Sequence, residues 1–223
     1  MTSDTAPAGA APRGRRGRPG NDREQVLAVA VALFIEKGYD ATSVADLADR
    51  LGVTKSALYH HFSSKDELLG LALDDALTAL EGVFDHPAAE AGAQLERVIR
   101  GAVGVLVQKL PEVTLLLRVR GNSPVEHAAL ERRRAFDHRV TEVVTRAQDE
   151  GMLRPDVDAA VATRLVFGMV NSLTEWYRPG GALDADSLAD AVLATALEGL
   201  RPRHRRPGQG DVSTAATEGR ASG

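Results

Sequence analysis

Residues 38–69 read GYDATSVADLADRLGVTKSALYHHFSSKDELL, and this stretch decides the fold. Val44, Leu47, Ala48 and Leu51 fall at i, i+3, i+4 and i+7, one apolar face of a short helix. Thr42 or Ser43 supplies an N-cap oxygen for it. Gly52 follows at once, where a helix end favours a residue that tolerates positive φ. Val53 returns to the core, and Thr54 caps a second short helix predicted from Lys55 to about His61. Leu58 and Phe62 are four apart and pin that helix to the first. Lys55, Ser56, Tyr59 and His60 share its opposite face. A cation, a hydroxyl, a phenol and an imidazole can all bond phosphate oxygens or base edges. Ser64 to Glu67 forms an S-x-x-E capping box for a third helix, where Lys65 and the free N–H groups favour a nearby phosphate.

A glycine turn between two small helices also suits a plain αα-hairpin inside a helical core. The whole ordered string is more specific. From roughly Val26 to Leu71 it closely resembles the DNA-binding domain of TetR-type transcriptional regulators. Gly38, Tyr39, Thr42, Ala48, Gly52, Val53, Leu58, Tyr59, Phe62, Lys65 and Leu68 stand at the characteristic positions. The resemblance implies an all-α, homodimeric repressor on a near-palindromic double-stranded operator, released by a small-molecule effector. Its candidate DNA contacts here are Thr42, Ser43, Thr54, Lys55, Ser56, Ala57, Tyr59, His60 and Lys65, with Ser56 and Ala57 nearest the groove floor.

Composition sets bounds around this reading. The chain has 223 residues, no cysteine and a net charge of -4. Without cysteine it has no disulfide framework and no thiol nucleophile. With an acidic balance, any nucleic-acid surface must be a local patch. Residues 1–20 are rich in Ala, Pro, Gly and Arg without apolar periodicity, which predicts a disordered basic arm. Arg16 and Arg18 in it are further candidate DNA contacts, against the plainer reading of a solvated tail. The apolar run Val26 to Ile35 is ten residues long, too short for a membrane span, and acidic residues separate it from the basic arm. The expectation is a soluble, cytoplasmic protein with no membrane partner.

Outward from the centre, helical spacing predicts about nine helices and no strand. Asn21 or Asp22 caps a first helix ending at Lys37. The helix from Lys65 is predicted to reach about Phe84, and Pro87 marks its end. Further helices run through Leu95–Leu110, Pro111–Arg120, Pro124–Glu150, Asp158–Tyr177 and from Asp184 or Asp186 to Leu200. This divides the chain into an arm (1–20), a helix-turn-helix domain (21–67), a ligand-binding and dimerisation domain (68–200) and a polar, disordered tail (201–223).

Catalytic and metal constellations are missing from the sequence. There is no G-x-S-x-G, P-loop or dinucleotide fingerprint, and adjacent His60 and His61 diverge on a helix. No cofactor and no enzymatic activity are expected. Arg118 and Arg120 lie beside apolar residues, and Glu131-Arg132-Arg133-Arg134 follows. Ordinary helix-face salt bridging explains these arginines, or else they form a cationic rim over an apolar cavity. The stretches LLLRVRGNSPVE, ALERRRAFD and FGMVNSLTEWYRPGG are similar to those of TetR-type repressors that answer to coenzyme A thioesters. That similarity implies an acyl-coenzyme A effector held by Arg118, Arg120, Asn122, Arg133, Phe167, Asn171 and Trp176. Two other classes stay open: a repressor sensing a lipophilic molecule without coenzyme A, and a helical enzyme or scaffold that binds no DNA.

Overall fold

The computed structural model describes residues 23–200, so the arm with Arg16 and Arg18, the Asn21/Asp22 cap and the tail from 201 lie outside the described residues. Among the described residues every regular element is helical: α1 (Arg23–Lys37), α2 (Val44–Leu51), α3 (Lys55–Tyr59), α4 (Lys65–Glu81), α5 (Ala91–Gln108), α6 (Leu110–Arg118), α7 (Pro124–Asp149), α8 (Ala159–Trp176) and α9 (Ala185–Leu200).

Local chemistry accounts for most of the boundaries. Ser43 caps α2, accepting from the Asp46 N–H while Asp46 accepts from the Ser43 N–H, a complete capping box. Gly52 ends α2 at φ 66°. Thr54 caps α3, but that helix stops at Tyr59, two residues short of the expectation. The His60 and His61 N–H groups turn back instead to Ala57 and Leu58. Ser64 caps α4, which gives way to a 3₁₀ turn over Gly82–Phe84. Ser123 caps α7 with Pro124 in its first turn. Glu126 departs from the simple box. Its carboxylate accepts the backbone N–H groups of Arg120, Gly121 and Asn122 and so ties down the α6–α7 loop.

The packing is continuous. Helix α1 packs on α2, α4 and α6, so the helix-turn-helix sits against the larger helical unit through α4 and α6. Helix α5 is central and contacts α4, α6, α7, α8 and α9. Its buried face carries Leu95, Val98, Ile99, Ala102, Val103 and Leu106. Burying a side chain of this size contributes roughly 1.5–3 kcal/mol, so this face alone outweighs any surface ion pair in the protein.

Candidate nucleic-acid interface and effector cavity

Helix α3 divides into two faces. Leu58 and the following Phe62 are buried, whereas Thr54, Lys55, Ser56, Tyr59 and His60 are exposed, Tyr59 by 55%. Among the described residues the side chains of Lys55, Ser56, Tyr59 and His60 make no hydrogen bond or ion pair to protein. Thr54 is occupied as the α3 cap, and Ser43 as the α2 cap. Ala57 is half-buried at the edge of the face. The supporting frame is polar and tight. Lys37 reaches Asp46 at 2.6 Å, and Arg50 reaches Glu36 at 2.7 Å, locking α2 on α1. Hydrogen bonds from Lys37 and then Ser43 hold the Asp46 carboxyl well below the usual carboxylate range.

Two of the expected DNA contacts are engaged within the protein. Thr42 is buried, its hydroxyl 2.7 Å from the Gly38 carbonyl and 3.3 Å from that of Leu33. It closes the α1–α2 turn, with its hydroxyl turned to the protein. Lys65 is not a free cation. Its ammonium donates to the Tyr39 and Thr42 carbonyls at 2.8 and 3.0 Å and lies 4.2 Å from the Tyr39 ring centroid. Tyr39 in turn donates its phenol to Asp66. Burial and the Asp66 carboxylate together push the Tyr39 hydroxyl above its ordinary range.

In the larger unit, Arg133, Phe167 and Asn171 come together around a small, partly open cavity of about 40 Å³. Leu106, Leu116, Phe136 and Asp137 are among the other residues of its walls, which are mainly apolar. The expected cationic rim of Arg118, Arg120 and Asn122 is not assembled there. Helix α6 ends at Arg118 and Val119 is extended, so the chain turns toward α1. Arg118 donates to the Ile35 carbonyl at 2.6 Å, near the α1 C-terminus. All three residues line an open crevice of about 550 Å³ beside Lys37 and Tyr39. Trp176 ends α8 on the surface, 52% exposed and away from the cavity. Arg132, from the same basic run as Arg133, forms ion pairs with Asp74 and Glu81 across to α4. Sequence reasoning passed over Asp137. It is half-buried, and burial raises its carboxyl above the ordinary value against the pull of Arg133 and Arg164. The available signal was its position four residues after Arg133 and directly after Phe136, on a helix beside apolar residues.

Comparison with known proteins agrees with this layout. The family model for bacterial regulatory proteins of the tetR family matches residues 26–72, and the tetracyclin repressor-like C-terminal domain matches residues 88–200. The chain belongs to the TetR family. This TetR-family chain is therefore a DNA-binding transcriptional regulator and not an enzyme. It is 30% identical to the transcriptional repressor KstR2 of Rhodococcus jostii over 86% of its own length and 95% of the relative. Its fold is similar to that of SCO3833, a TetR-family regulator from Streptomyces coelicolor, at TM-score 0.75 and 48% identity, covering 79% of this chain and 90% of that one. The ketosteroid transcriptional regulator KstR2 of Mycobacterium tuberculosis aligns at TM-score 0.72 and 27% identity, covering 81% of this chain and 95% of that one. No helix among the described residues is long and apolar enough to cross a membrane.

Proposed function

We propose that this regulator is a cytoplasmic homodimeric repressor, released from a near-palindromic operator by an acyl-coenzyme A thioester. The observation that carries the DNA half is the outward, unpartnered set of Lys55, Ser56 and Tyr59 on α3 with His60 at its C-cap. In a dimer, two such helices enter successive major grooves, about 34–36 Å apart in the simplest case. Arg16 and Arg18, outside the described residues, are included in the proposal as further phosphate contacts. The effector half rests on the cavity, whose apolar walls carry one polar corner of Arg133, Asp137 and Asn171. Similarity to KstR2, a ketosteroid regulator by name, supports a bulky lipophilic effector group.

Release is a population shift. Ligand binds best to a conformer whose α3 helices are misspaced for DNA, and α4 carries the difference because it touches α1 as well as α6 and α7. Weakening operator affinity 100-fold requires about 2.8 kcal/mol of differential binding.

A gel-shift salt titration on DNA upstream of its own gene tests the DNA half. Lys55→Ala is expected to weaken binding and flatten the log–log salt slope by about 0.9 for each lost phosphate contact, one in each half-site of the dimer. Tyr59→Ala is expected to weaken binding with the slope nearly unchanged, because a phenol releases no counterion. Unchanged affinity in both variants overturns the interface. The mainly apolar cavity walls favour a second reading, a lipophilic effector without coenzyme A. Matched thioesters and free lipophiles added to the repressor–operator complex separate the two.

A further inference from the structure

Beside the small cavity lies a much larger open groove of about 630 Å³ that no sequence signal marked. The two spaces share a wall of aromatic rings. Phe84 faces the groove, while Phe136 and Phe167 line the cavity. The Phe84 and Phe136 centroids are 5.5 Å apart and those of Phe136 and Phe167 5.4 Å, each pair edge to face. Helix α7 serves both sides. It gives Arg133, Phe136 and Asp137 to the cavity, then His138, Arg139 and Arg146 to the groove. Among the described residues Glu142 is the one carboxylate lining the groove, 3.6 Å from His138 Nε2, and Arg146 has no ion-pair partner. The groove therefore leans cationic in a chain whose net charge is -4.

We propose that one amphipathic effector occupies both spaces, its apolar group in the cavity and its phosphate-bearing part in the groove against Arg139 and Arg146. This rests on the thioester reading above and assigns the end of the molecule that carries its charge. At about 40 Å³ the cavity holds little more than water, so the apolar group enters by moving the ring wall. Arg139 controls that wall. Its guanidinium lies 4.0 Å from the Phe84 ring centroid, a cation–π contact that holds the ring in place. A phosphate that draws Arg139 toward itself weakens this hold on Phe84 and opens the way to Phe136. Recognition of charge and admission of the apolar group thus run through one side chain.

Calorimetric titration of the full chain with a series of acyl-coenzyme A thioesters and their matched free acids, at low and moderate salt, tests this. Arg139→Ala and Arg146→Ala are each expected to weaken thioester binding about tenfold and to flatten its salt dependence, with free-acid binding little changed by Arg146→Ala and tightened by Arg139→Ala, which frees the Phe84 ring. Glu142→Gln is expected to tighten thioester binding, a gain that damaged folding would not produce. If thioesters bind the wild-type chain and all three variants alike, the groove assignment is overturned and the thioester reading stands. If the wild-type chain binds free acids but no thioester, both fall.

Discussion

Lys65 commits two of its three N–H donors to the Tyr39 and Thr42 carbonyls, so its charge works mainly inside the protein. Hydrogen bonds from a charged donor are worth about 1.5–3 kcal/mol each. Lys65→Ala is therefore expected to lower the thermal midpoint by several degrees and weaken operator binding together, read by a calorimetric melt beside a gel shift. A variant with normal stability and lost DNA binding would make Lys65 a direct phosphate contact after all. Asp137 gives the opposite sign. Its pKa is raised in the folded chain, so its favourable contribution is complete below the ordinary carboxyl value of 3.8 and is lost as pH climbs through the native value. Asp137→Asn is expected to raise the melting temperature at pH 7, with the gain vanishing as pH falls through the carboxyl range. The outward set on α3 was legible in the sequence because side-chain direction follows from helix period. The Lys65 clamp was not, since its partners lie 23 and 26 residues upstream and meet it only through tertiary folding.

Helix starts were legible for the same local reason: Ser43, Thr54, Ser64 and Ser123 each accept from a backbone N–H three residues on. Pairings between helices were not. Arg118 meets Ile35 across 83 residues, and nothing local distinguishes it from Arg133, which faces the cavity. Arg132 shows what such a pairing does. It bridges α7 to α4 through Glu81 at 2.8 Å in a two-nitrogen contact and through Asp74 at 2.6 Å. The hydrogen bond from Arg132 holds the Glu81 carboxyl below its ordinary value. These groups are partly solvated, so the cluster is worth about 1–2 kcal/mol, not the sum of buried pairs. Arg132→Ala is expected to lower the melting point by a few degrees. It should also blunt effector-driven release, because α4 is then less firmly coupled to the α7 wall of the cavity. Gel shifts at rising effector concentration read the second effect, and an unchanged release curve would remove α7 from the relay.

At the scale of the molecule, large apolar side chains stand exposed on α8 among the described residues. Val161 and Leu165 are four residues apart on α8 and point outward, Leu165 by 65%, with exposed Gly168 and Ser172 farther along the same helix. Ala191 and Ala194 are exposed on α9, which packs against α8. Water against this surface is unfavourable, and small residues let a second copy approach closely, which fits a four-helix contact about a two-fold axis. Were two copies to pair there, the geometry of DNA recognition would depend on α8 and α9, far in sequence from α3, because pairing sets the spacing of the two recognition helices. Leu165→Asp places a charge at the centre of that contact. In light scattering it is expected to halve the molar mass. Operator affinity is expected to fall about 100-fold or more, since joining two half-site contacts raises avidity by about that much. Tyr59→Ala should lose DNA and remain dimeric. If Leu165→Asp instead stays dimeric and binds the operator normally, pairing runs through another face and the helix spacing must be derived anew from it.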